Sequence, residues 1–349
     1  MRLDDLIYQT SEWLRGTGPQ SDIVISSRVR LARNIAKMPF SHWANKTQSY
    51  QILKICKDAI DANDFMKGCI FARIEELNNI DKQFLLERHL ISKELITKSD
   101  NKAVAISDKE IISIMINEED HLRIQTIQSG FNLAQAWQII DRIDTDLSSK
   151  MDFTFSNDLG FLTACPTNTG TGMRGSVMLH LPALVITKQI NRVLQTISKL
   201  SLAARGFYGE GTQAAGNFFQ ISNQTTLGHS ELDIIDNLQR IIKQVIMHEL
   251  TARKILNAQH KIELQDRIWR AQGVLKTAHI ITSSETIELL SMVRLGVDIG
   301  LIKEIDIAKV NQLFISTQPA HLQKFEGKAL TAAERDVKRA QVIRESIGK

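Results

Sequence analysis

Hydrophobic positions between Ile23 and about Gln224 follow two periods in turn. Runs rich in β-branched residues, such as DIVISSRVRL and GNFFQIS, alternate there with segments such as TKQINRVLQTISKL. Alternation with period two is typical of half-buried strands, whereas apolar residues at every third or fourth position indicate amphipathic helices. This part of the chain is therefore predicted to be a mixed α/β domain.

The pattern changes at Ser230, after which helical spacing continues to the end of the sequence. Ser230 and Asp233 form a capping signal ahead of a long amphipathic run, and Thr331 with Glu334 forms a capping box before the last one. The sequence therefore predicts an all-helical C-terminal region whose last helix begins at Thr331.

These patterns divide the chain into three parts. We expect an N-terminal segment at residues 1–21, a catalytic α/β domain at 22–254 and a C-terminal helical domain at 255–349. A chain of 349 residues with 43% hydrophobic residues is long enough to bury a substantial core.

Charge and cysteine content restrict the class of protein. The formal net charge is +4, from 43 basic and 39 acidic residues, which is too even to indicate nucleic acid or a membrane surface. The cysteines Cys56, Cys69 and Cys165 form no CxxC pair, and neither a secretory signal nor a membrane-spanning run is present. We therefore expect a cytoplasmic protein, with Cys56 in the core of a helix.

The segment GTGMRG, at residues 170–175, fits the glycine pattern of a dinucleotide-binding loop. Such a loop needs an acidic residue about 20 positions further on for the ribose hydroxyls. No acidic residue lies between Asp158 and Glu210, or between Asp22 and Asp58, although both segments contain several arginines. The pattern therefore favours an anion site over a dinucleotide fold.

Arginines in these acid-free segments are spaced as a phosphate site requires. Arg28 and Arg30 project to the same side of an extended strand, and the Gly-Thr-Gly backbone beside Arg174 could turn N–H groups toward an anion. Guanidinium groups bind phosphate oxygens with planar, bidentate geometry, so a triphosphate is the expected ligand. The alternative is a set of solvated basic faces, and the sequence has no GxxxxGK[ST], HRD/DFG or HExxH motif.

A family resemblance rests on four motifs in register. SSRVR (26–30), NEEDHLRI (117–124), CPTNTGTGMR (165–174) and RGFYGE (205–210) together resemble the phosphagen kinase superfamily over roughly residues 22–252. The resemblance implies a mainly antiparallel sheet flanked by helices, which carries ATP-dependent phosphoryl transfer to a guanidino group.

Within that superfamily the chain is most similar to the bacterial protein-arginine kinase family. Only residues 1–25 precede SSRVR, where the small-molecule enzymes have a separate helical domain, and RDVKRA (335–340) resembles a phosphoarginine-binding motif. Tyr208 stands where the small-molecule enzymes have an arginine in RGxRGE, a variant shared by the protein-arginine kinases.

The resemblance also implies site residues. Glu119 and Glu210 correspond to the carboxylates that bind the guanidinium, one of which acts as base, and Cys165 corresponds to the family's reactive cysteine. The arginine guanidinium is protonated at neutral pH, so its phosphorylation needs carboxylates that accept its N–H bonds and take up a proton. The arginines of the ATP site are expected to bind the phosphates, and the backbone of RGSVM and RGFYGE is expected to complete the site. The residues expected to contact ATP are Ser26, Ser27, Arg28, Val29, Arg30, His89, Arg123, Arg174, Gly175, Ser176, Val177, Met178, Arg205, Gly206, Phe207, Tyr208, Gly209 and Glu210. Allosteric phosphoarginine is expected at Arg335, Asp336, Val337, Lys338, Arg339 and Ala340.

The implied ligands and partners follow from the same resemblance. Mg²⁺ is expected to arrive with ATP, bound through phosphates and water rather than by a protein cage. Protein substrates presenting arginine, a stress-response repressor, an activator protein, an AAA+ unfoldase-protease and a second copy of the chain are the implied partners. Two alternatives remain open: a kinase of a free guanidino metabolite, and a non-catalytic adaptor that senses nucleotide or phosphoarginine.

Overall fold

An eight-stranded antiparallel sheet forms the centre of the computed structural model, which describes residues 3–98, 100–206 and 215–348. Its strands lie in the order β2-β3-β4-β5-β1-β8-β10-β9, and β6 and β7 form a separate hairpin. The strands are β1 (Val24–Arg33), β2 (Ile70–Arg73), β3 (Ala103–Ile106), β4 (Ile112–Ile116), β5 (Leu122–Ser129), β6 (Phe155–Ser156), β7 (Gly160–Phe161), β8 (Met173–His180), β9 (Leu202–Gly206) and β10 (Phe218–Asn223). The predicted antiparallel sheet is confirmed.

Helices surround this sheet and continue alone to the C-terminus of the described chain. They are α1 (Lys46–Asp61), α2 (Asn79–Glu87), α3 (Lys93–Ile96), α4 (Leu133–Ser148), α5 (Pro182–Ile186), α6 (Ile190–Lys199), α7 (Glu231–Gln259), α8 (Lys261–Thr277), α9 (Ser283–Asp298), α10 (Ile307–Ser316), α11 (Pro319–Glu326) and α12 (Ala332–Ile347). Two short 3-10 turns, Leu3–Tyr8 and Glu12–Leu14, precede β1. The helical C-terminal region is thus confirmed.

Both predicted capping boxes are present. The Ser230 hydroxyl accepts from the Asp233 backbone N–H at 3.1 Å, and the Thr331 hydroxyl accepts from the Glu334 N–H at 3.3 Å. In each box the acidic side chain also accepts the N–H of the capping residue, so two otherwise unpaired helix-end donors are satisfied. The first of these helices, α7, runs without interruption through residues 254 and 255, where we placed a domain boundary from the sequence.

One face of the sheet is covered by α4 and α7. Leu133, Ala136, Ile140, Ile143 and Leu147 recur at intervals of three and four along α4 and are fully buried against β1 and β5. Burying a leucine or isoleucine side chain stabilises a fold by roughly 1.5–3 kcal/mol, so this stripe fixes the helix on the sheet. The opposite face of the sheet is not covered by these two helices.

A buried charged network joins β8 to the C-terminal helices. Arg294 of α9 donates to His180 Nδ1 at 2.9 Å and to Asn311 Oδ1 at 3.1 Å, and it lies 3.2 Å from Asp298. Burial raises the pKa of Asp298 to about 6, against the opposing attraction of Arg294 and Arg253. Removing one member would leave a buried charge unpaired, so this network holds the C-terminal helices in one position against the sheet.

Candidate active site

Arginines occupy successive positions on the face of the sheet that α4 and α7 leave open. Arg30 of β1 lies opposite Arg174 of β8, Arg28 follows one pleat further along, and Arg123 lies beside Ala32 on β5. Because alternate residues of a strand share a face, and paired strands lie about 4.8 Å apart, these guanidinium groups converge on one surface. The prediction that Arg28 and Arg30 project to the same side is confirmed.

This surface is the floor of a cavity of about 680 Å³. Its lining includes Arg28, Arg30, Arg123 and Arg205, together with His89. Burial, followed by the charges of Arg123 and Arg174, lowers the pKa of Arg28 to about 10. Burial, followed by the charges of Arg28, Arg123 and Arg174, also lowers the pKa of Arg30. Mutually repelling, desolvated cations of this kind favour a multiply charged anion as their ligand.

Ser92 and Glu118 hold Arg123 in place. The Glu118 carboxylate is 8% exposed, and it accepts from both the Arg123 guanidinium and the Ser92 hydroxyl. Glu118 was not among the predicted site residues. Its position directly before Glu119 was the only sequence signal, and pairing with an arginine across a hairpin is not visible from composition.

Glu119 lies in the turn between β4 and β5 with its side chain exposed. Partial burial raises the pKa of Glu119, and the neighbouring carboxylates of Asp120 and Glu118 raise it further. A carboxylate with a raised pKa is a better proton acceptor, and an exposed one can be reached by a side chain on another protein.

Two buried side chains fix this turn. Asp120 accepts from Asn34 Nδ2 and from the backbone N–H of Ala164, both at 2.7 Å, so the turn is tied to the residue before Cys165. His121 Nδ1 accepts from the Ile35 N–H at 3.0 Å, which leaves the proton on Nε2 to donate to the Pro39 carbonyl at 2.8 Å. The turn carrying Glu119 and the loop carrying Cys165 are therefore held together.

Cys165 precedes a short 3-10 turn at Pro166–Asn168 and is partly exposed. Its Sγ lies 3.0 Å from the Thr167 hydroxyl, and its carbonyl accepts from the Thr163 hydroxyl at 2.7 Å. The thiol is thus oriented by its own loop, beside the Glu119 turn. Cys56, in contrast, lies in the core of α1 as predicted, where burial raises the pKa of its thiol.

The predicted anion cradle in the Gly-Thr-Gly segment is wrong. The N–H groups of Gly170 and Thr171 donate to the carbonyls of Phe161 and Thr226, at 3.2 Å in each case. Gly172 has a φ of +64°, and a Cβ there would lie 2.7 Å from the Ala32 carbonyl oxygen. The glycines therefore allow tight packing against neighbouring backbone rather than contact with a phosphate.

The strand residues predicted to contact ATP divide between the two faces of the sheet. Ser26, Ser176 and Met178 lie on the arginine face and line a small pocket beneath the main cavity. Ser27, Val29, Gly175 and Val177 lie on the opposite, helix-covered face, where a Cβ on Gly175 would contact Leu238 of α7 at 3.3 Å. The backbone of RGSVM is paired on both sides by β1 and β10, and its contact with ATP stays a prediction.

His89 lines the main cavity directly after α2, at a positive φ of 60°. Its ring packs edge-on against Trp13 with centroids 5.3 Å apart. Burial, and then the charge of Arg28, lower the pKa of His89 to about 3, so the imidazole is neutral at physiological pH. A neutral ring can accept or donate a hydrogen bond without adding to the positive charge of the cavity.

The RGFYGE motif is only partly described. Arg205 and Gly206 end β9 and line the cavity. Phe207, Tyr208, Gly209 and the predicted catalytic Glu210 lie outside the described residues.

The RDVKRA motif lies on α12, away from the arginine face. Arg339 is 1% exposed and donates to the carbonyls of Thr317 at 2.8 Å and Ile281 at 2.9 Å, as well as to Asp336. Arg335 donates to the Leu330 carbonyl at 2.7 Å. The remaining members are Val337, which is exposed, Lys338, which pairs with Glu326, and Ala340, which is buried.

The described residues contain neither a metal-binding cluster nor a membrane-spanning helix. No group of three or more His, Cys, Asp or Glu side chains in residues 3–98, 100–206 and 215–348 is arranged to hold a metal ion. Across the same ranges, every helix is too short or too polar to cross a bilayer.

Comparison with known proteins identifies the family to which this chain belongs. Residues 51–252 match the ATP:guanido phosphotransferase C-terminal catalytic domain. The fold is shared with a taurocyamine kinase from Schistosoma mansoni (24% identity, TM-score 0.62, covering 70% of this chain and 35% of that one). It is also shared with a lombricine kinase (22% identity, TM-score 0.61, covering 72% of both chains). The chain belongs to the ATP:guanido phosphotransferase family.

The C-terminal helices narrow this assignment. Residues 261–349 match the protein-arginine kinase McsB C-terminal domain. Full-length relatives include the protein-arginine kinases of Desulforamulus reducens (46% identity, covering 97% of this chain and 95% of that one) and Symbiobacterium thermophilum (47%, covering 96% of each). Within its family, the chain therefore falls in the protein-arginine kinase branch.

Proposed function

We propose that this protein transfers the γ-phosphoryl group of ATP to the guanidinium of arginine residues in proteins. The observation that carries the proposal is the line of arginines on one face of the sheet, which leads to the Glu119 turn and the Cys165 loop. This arrangement supplies a binding surface for a triphosphate and, at its end, a carboxylate for the acceptor.

Arg28, Arg30, Arg123, Arg174 and Arg205 bind the phosphates in this proposal. Phosphoryl transfer passes through a loose transition state with charge spread over the equatorial oxygens, so catalysis depends on alignment and electrostatic stabilisation. Guanidinium groups fixed on strands suit this task because they need little reorganisation. Mg²⁺ enters with ATP, held by phosphate oxygens and water.

Glu119 binds the acceptor guanidinium and accepts a proton from it, together with Glu210 of the partly described RGFYGE motif. As the guanidinium nitrogen forms its bond to phosphorus, the bond from phosphorus to the ADP oxygen breaks, and the nitrogen's proton passes to a carboxylate. Cys165 lies next to the substrate guanidinium and orients it. The exposure of Glu119 supports a polypeptide as the acceptor.

We also propose that phosphoarginine binds at the RDVKRA motif and regulates the enzyme. Asp336 and Arg339 supply the carboxylate and the guanidinium that such a ligand needs. Arg339 contacts the Thr317 carbonyl, which adjoins residues lining the nucleotide cavity. A ligand that engages Arg339 would therefore alter the wall of that cavity.

The test is to incubate the protein with ATP, Mg²⁺ and an unfolded protein, and to search by mass spectrometry for acid-labile phosphate on arginine. Free arginine is the matched small substrate. Phosphoarginine in the polypeptide, at a much higher kcat/KM than for free arginine, is the expected result. Equal kcat/KM values for the unfolded protein and for free arginine would favour a metabolite kinase. If wild type transfers no phosphate, and so does not differ from Arg30→Ala, the result would favour an adaptor.

A further inference from the structure

Three aromatic rings lie together on the segment that leads from β1 to α1. The centroid of the Phe40 ring is 6.1 Å from that of His42 and 5.9 Å from that of Trp43, and the His42 and Trp43 centroids are 4.6 Å apart. Trp43 is 72% exposed and His42 is exposed as well, whereas Phe40 is half-buried. We call these three residues the aromatic rim. Single exposed apolar side chains are ordinary on a protein surface, but three rings in contact form a patch that suits another molecule.

The aromatic rim is attached on both sides to the turn that carries Glu119. Directly before the rim, the Pro39 carbonyl accepts from His121 Nε2 at 2.8 Å. After the rim, the Ser49 carbonyl near the start of α1 accepts from Asn117 Nδ2 at 2.9 Å. Asn117 lies two residues before Glu119 and His121 lies two residues after it. The rim and the carboxylate proposed to bind the acceptor therefore keep one position relative to each other.

The rim is also held against the body of the protein. Met38 and Ala44, which flank it, pack against the hydrophobic core. The backbone N–H of Trp43 donates to the Phe40 carbonyl at 2.8 Å and so closes a turn between the two rings. A surface that is ordered before binding loses little conformational entropy when a ligand contacts it.

We propose that the aromatic rim binds an apolar side chain of the protein substrate a few residues from the target arginine, an inference that rests on the proposed function. The path from Glu119 to the Pro39 carbonyl runs through two residues and one imidazole, a span of at most about 15 Å. An extended peptide advances about 3.3 Å per residue and covers that span in about five residues. A substrate with its arginine at Glu119 can therefore place a neighbouring side chain on the rim.

The position of the rim favours a polypeptide acceptor as its occupant. Glu119 lies between the two residues that hold the rim, so a chain that delivers an arginine to this carboxylate passes close to the three rings. Free arginine has no neighbouring side chain to place there. The rim thus adds to the binding of arginine within a polypeptide and selects among arginines by the residues around them.

Synthetic peptides separate this contact from catalysis. Each peptide has one arginine in a background of glycine and serine, with a single leucine placed two to seven positions from the arginine on either side. The reference peptide has serine in place of the leucine, and the ratio of the two kcat/KM values measures the contribution of the leucine. Trp43→Ala is the test variant, and Trp269→Ala, at a 44% exposed tryptophan of α8, is the matched control. Sedimentation of the same samples gives their oligomeric state.

In wild type, a leucine three to six positions from the arginine should raise kcat/KM about three- to tenfold, the effect of burying part of its side chain against aromatic rings. Trp43→Ala should bring that ratio close to one, and Trp269→Ala should keep the wild-type ratio. A wild-type ratio of one at every position, an unchanged ratio in Trp43→Ala or an equal loss in Trp269→Ala would overturn the proposal. A smaller assembly for Trp43→Ala would also overturn it, because the rim would then be a contact between copies of the chain. If wild type phosphorylates none of the peptides and no unfolded protein, the proposed function itself has failed.

Discussion

Replacing Asp120 tests whether the Glu119 turn is positioned through its contact with the Cys165 loop. Asp120 is 3% exposed, and one of its oxygens accepts from both Asn34 and the Ala164 N–H at 2.7 Å. Asp120→Ala removes both hydrogen bonds and leaves a backbone donor buried. At about 1–3 kcal/mol for each unsatisfied group, we expect the free energy of unfolding to fall by roughly 3 kcal/mol.

Asp120→Asn is the informative partner variant. Burial raises the pKa of Asp120 despite its hydrogen bonds, so the ionised form is disfavoured in the folded state relative to water. A raised carboxyl pKa means that charging the group as the pH rises costs stability. A neutral amide keeps the acceptor oxygen without that cost, so Asp120→Asn should change the free energy of unfolding by less than about 1 kcal/mol.

Urea unfolding at neutral pH measures both stability changes, and steady-state kinetics with a protein substrate measures activity. Asp120→Ala should lower kcat, because Glu119 and Cys165 lose their common anchor, while the dissociation constant for ATP stays within a few-fold of wild type. If the alanine and asparagine variants lose equal stability, the hydrogen bonds are not the cause. An unchanged kcat in a destabilised Asp120→Ala would show that the anchor does not position the turn.

Four further outcomes follow. Glu119→Gln should abolish phosphoryl transfer and retain ATP affinity, and a variant with wild-type turnover would exclude Glu119 as base. Because the pKa of Glu119 is raised, the acid limb of the wild-type kcat/KM profile should lie at a higher pH than the pKa of an ordinary glutamate. Cys165→Ser should lower kcat more than nucleotide affinity, and equal rates for both proteins at every pH would remove its orienting role. Burial lowers the pKa of His180, so the free energy of unfolding should fall by up to about 1.4 kcal/mol for each pH unit below pH 6.5 and should carry no loss from this group above that pH. Urea unfolding of His180→Asn with the same pH slope as wild type would contradict this. Asp336→Ala should remove any stimulation of initial rate by added phosphoarginine, and an identical titration curve would reduce the motif to a structural contact.

Sequence patterns correctly predicted those features of the fold and the site that depend on residues close together in the chain. Alternation along β1 placed Arg28 and Arg30 on one face, and the capping residues Ser230 and Thr331 marked true helix starts. These features depend on neighbours in the chain, so periodicity and capping chemistry determine them.

Features that depend on distant partners were missed or mistaken. The N–H groups of the Gly-Thr-Gly segment donate to Phe161 and Thr226, and the second of these lies more than fifty positions away. Asp120 contacts Ala164, and the α10–α11 junction reaches the arginine face, only because the sheet order and the helix packing bring them there. Composition and spacing carry no information about such contacts, whereas the fold determines them.

Repulsion between the arginines of this face is the physical reason for proposing a strong anion as their ligand. The pKa of Arg28 falls to about 10 from an ordinary value of 12.5, mainly through burial and then through repulsion by Arg123 and Arg174. Arg28 is charged at neutral pH in both the folded and unfolded states, so this shift corresponds to a cost of about 3 kcal/mol to the free energy of folding. Strands paired on both sides keep the guanidinium groups together despite that repulsion. In the proposed function, phosphate oxygens relieve this repulsion on binding, so the arginine face favours a triphosphate in the alignment that transfer to the Glu119 end requires.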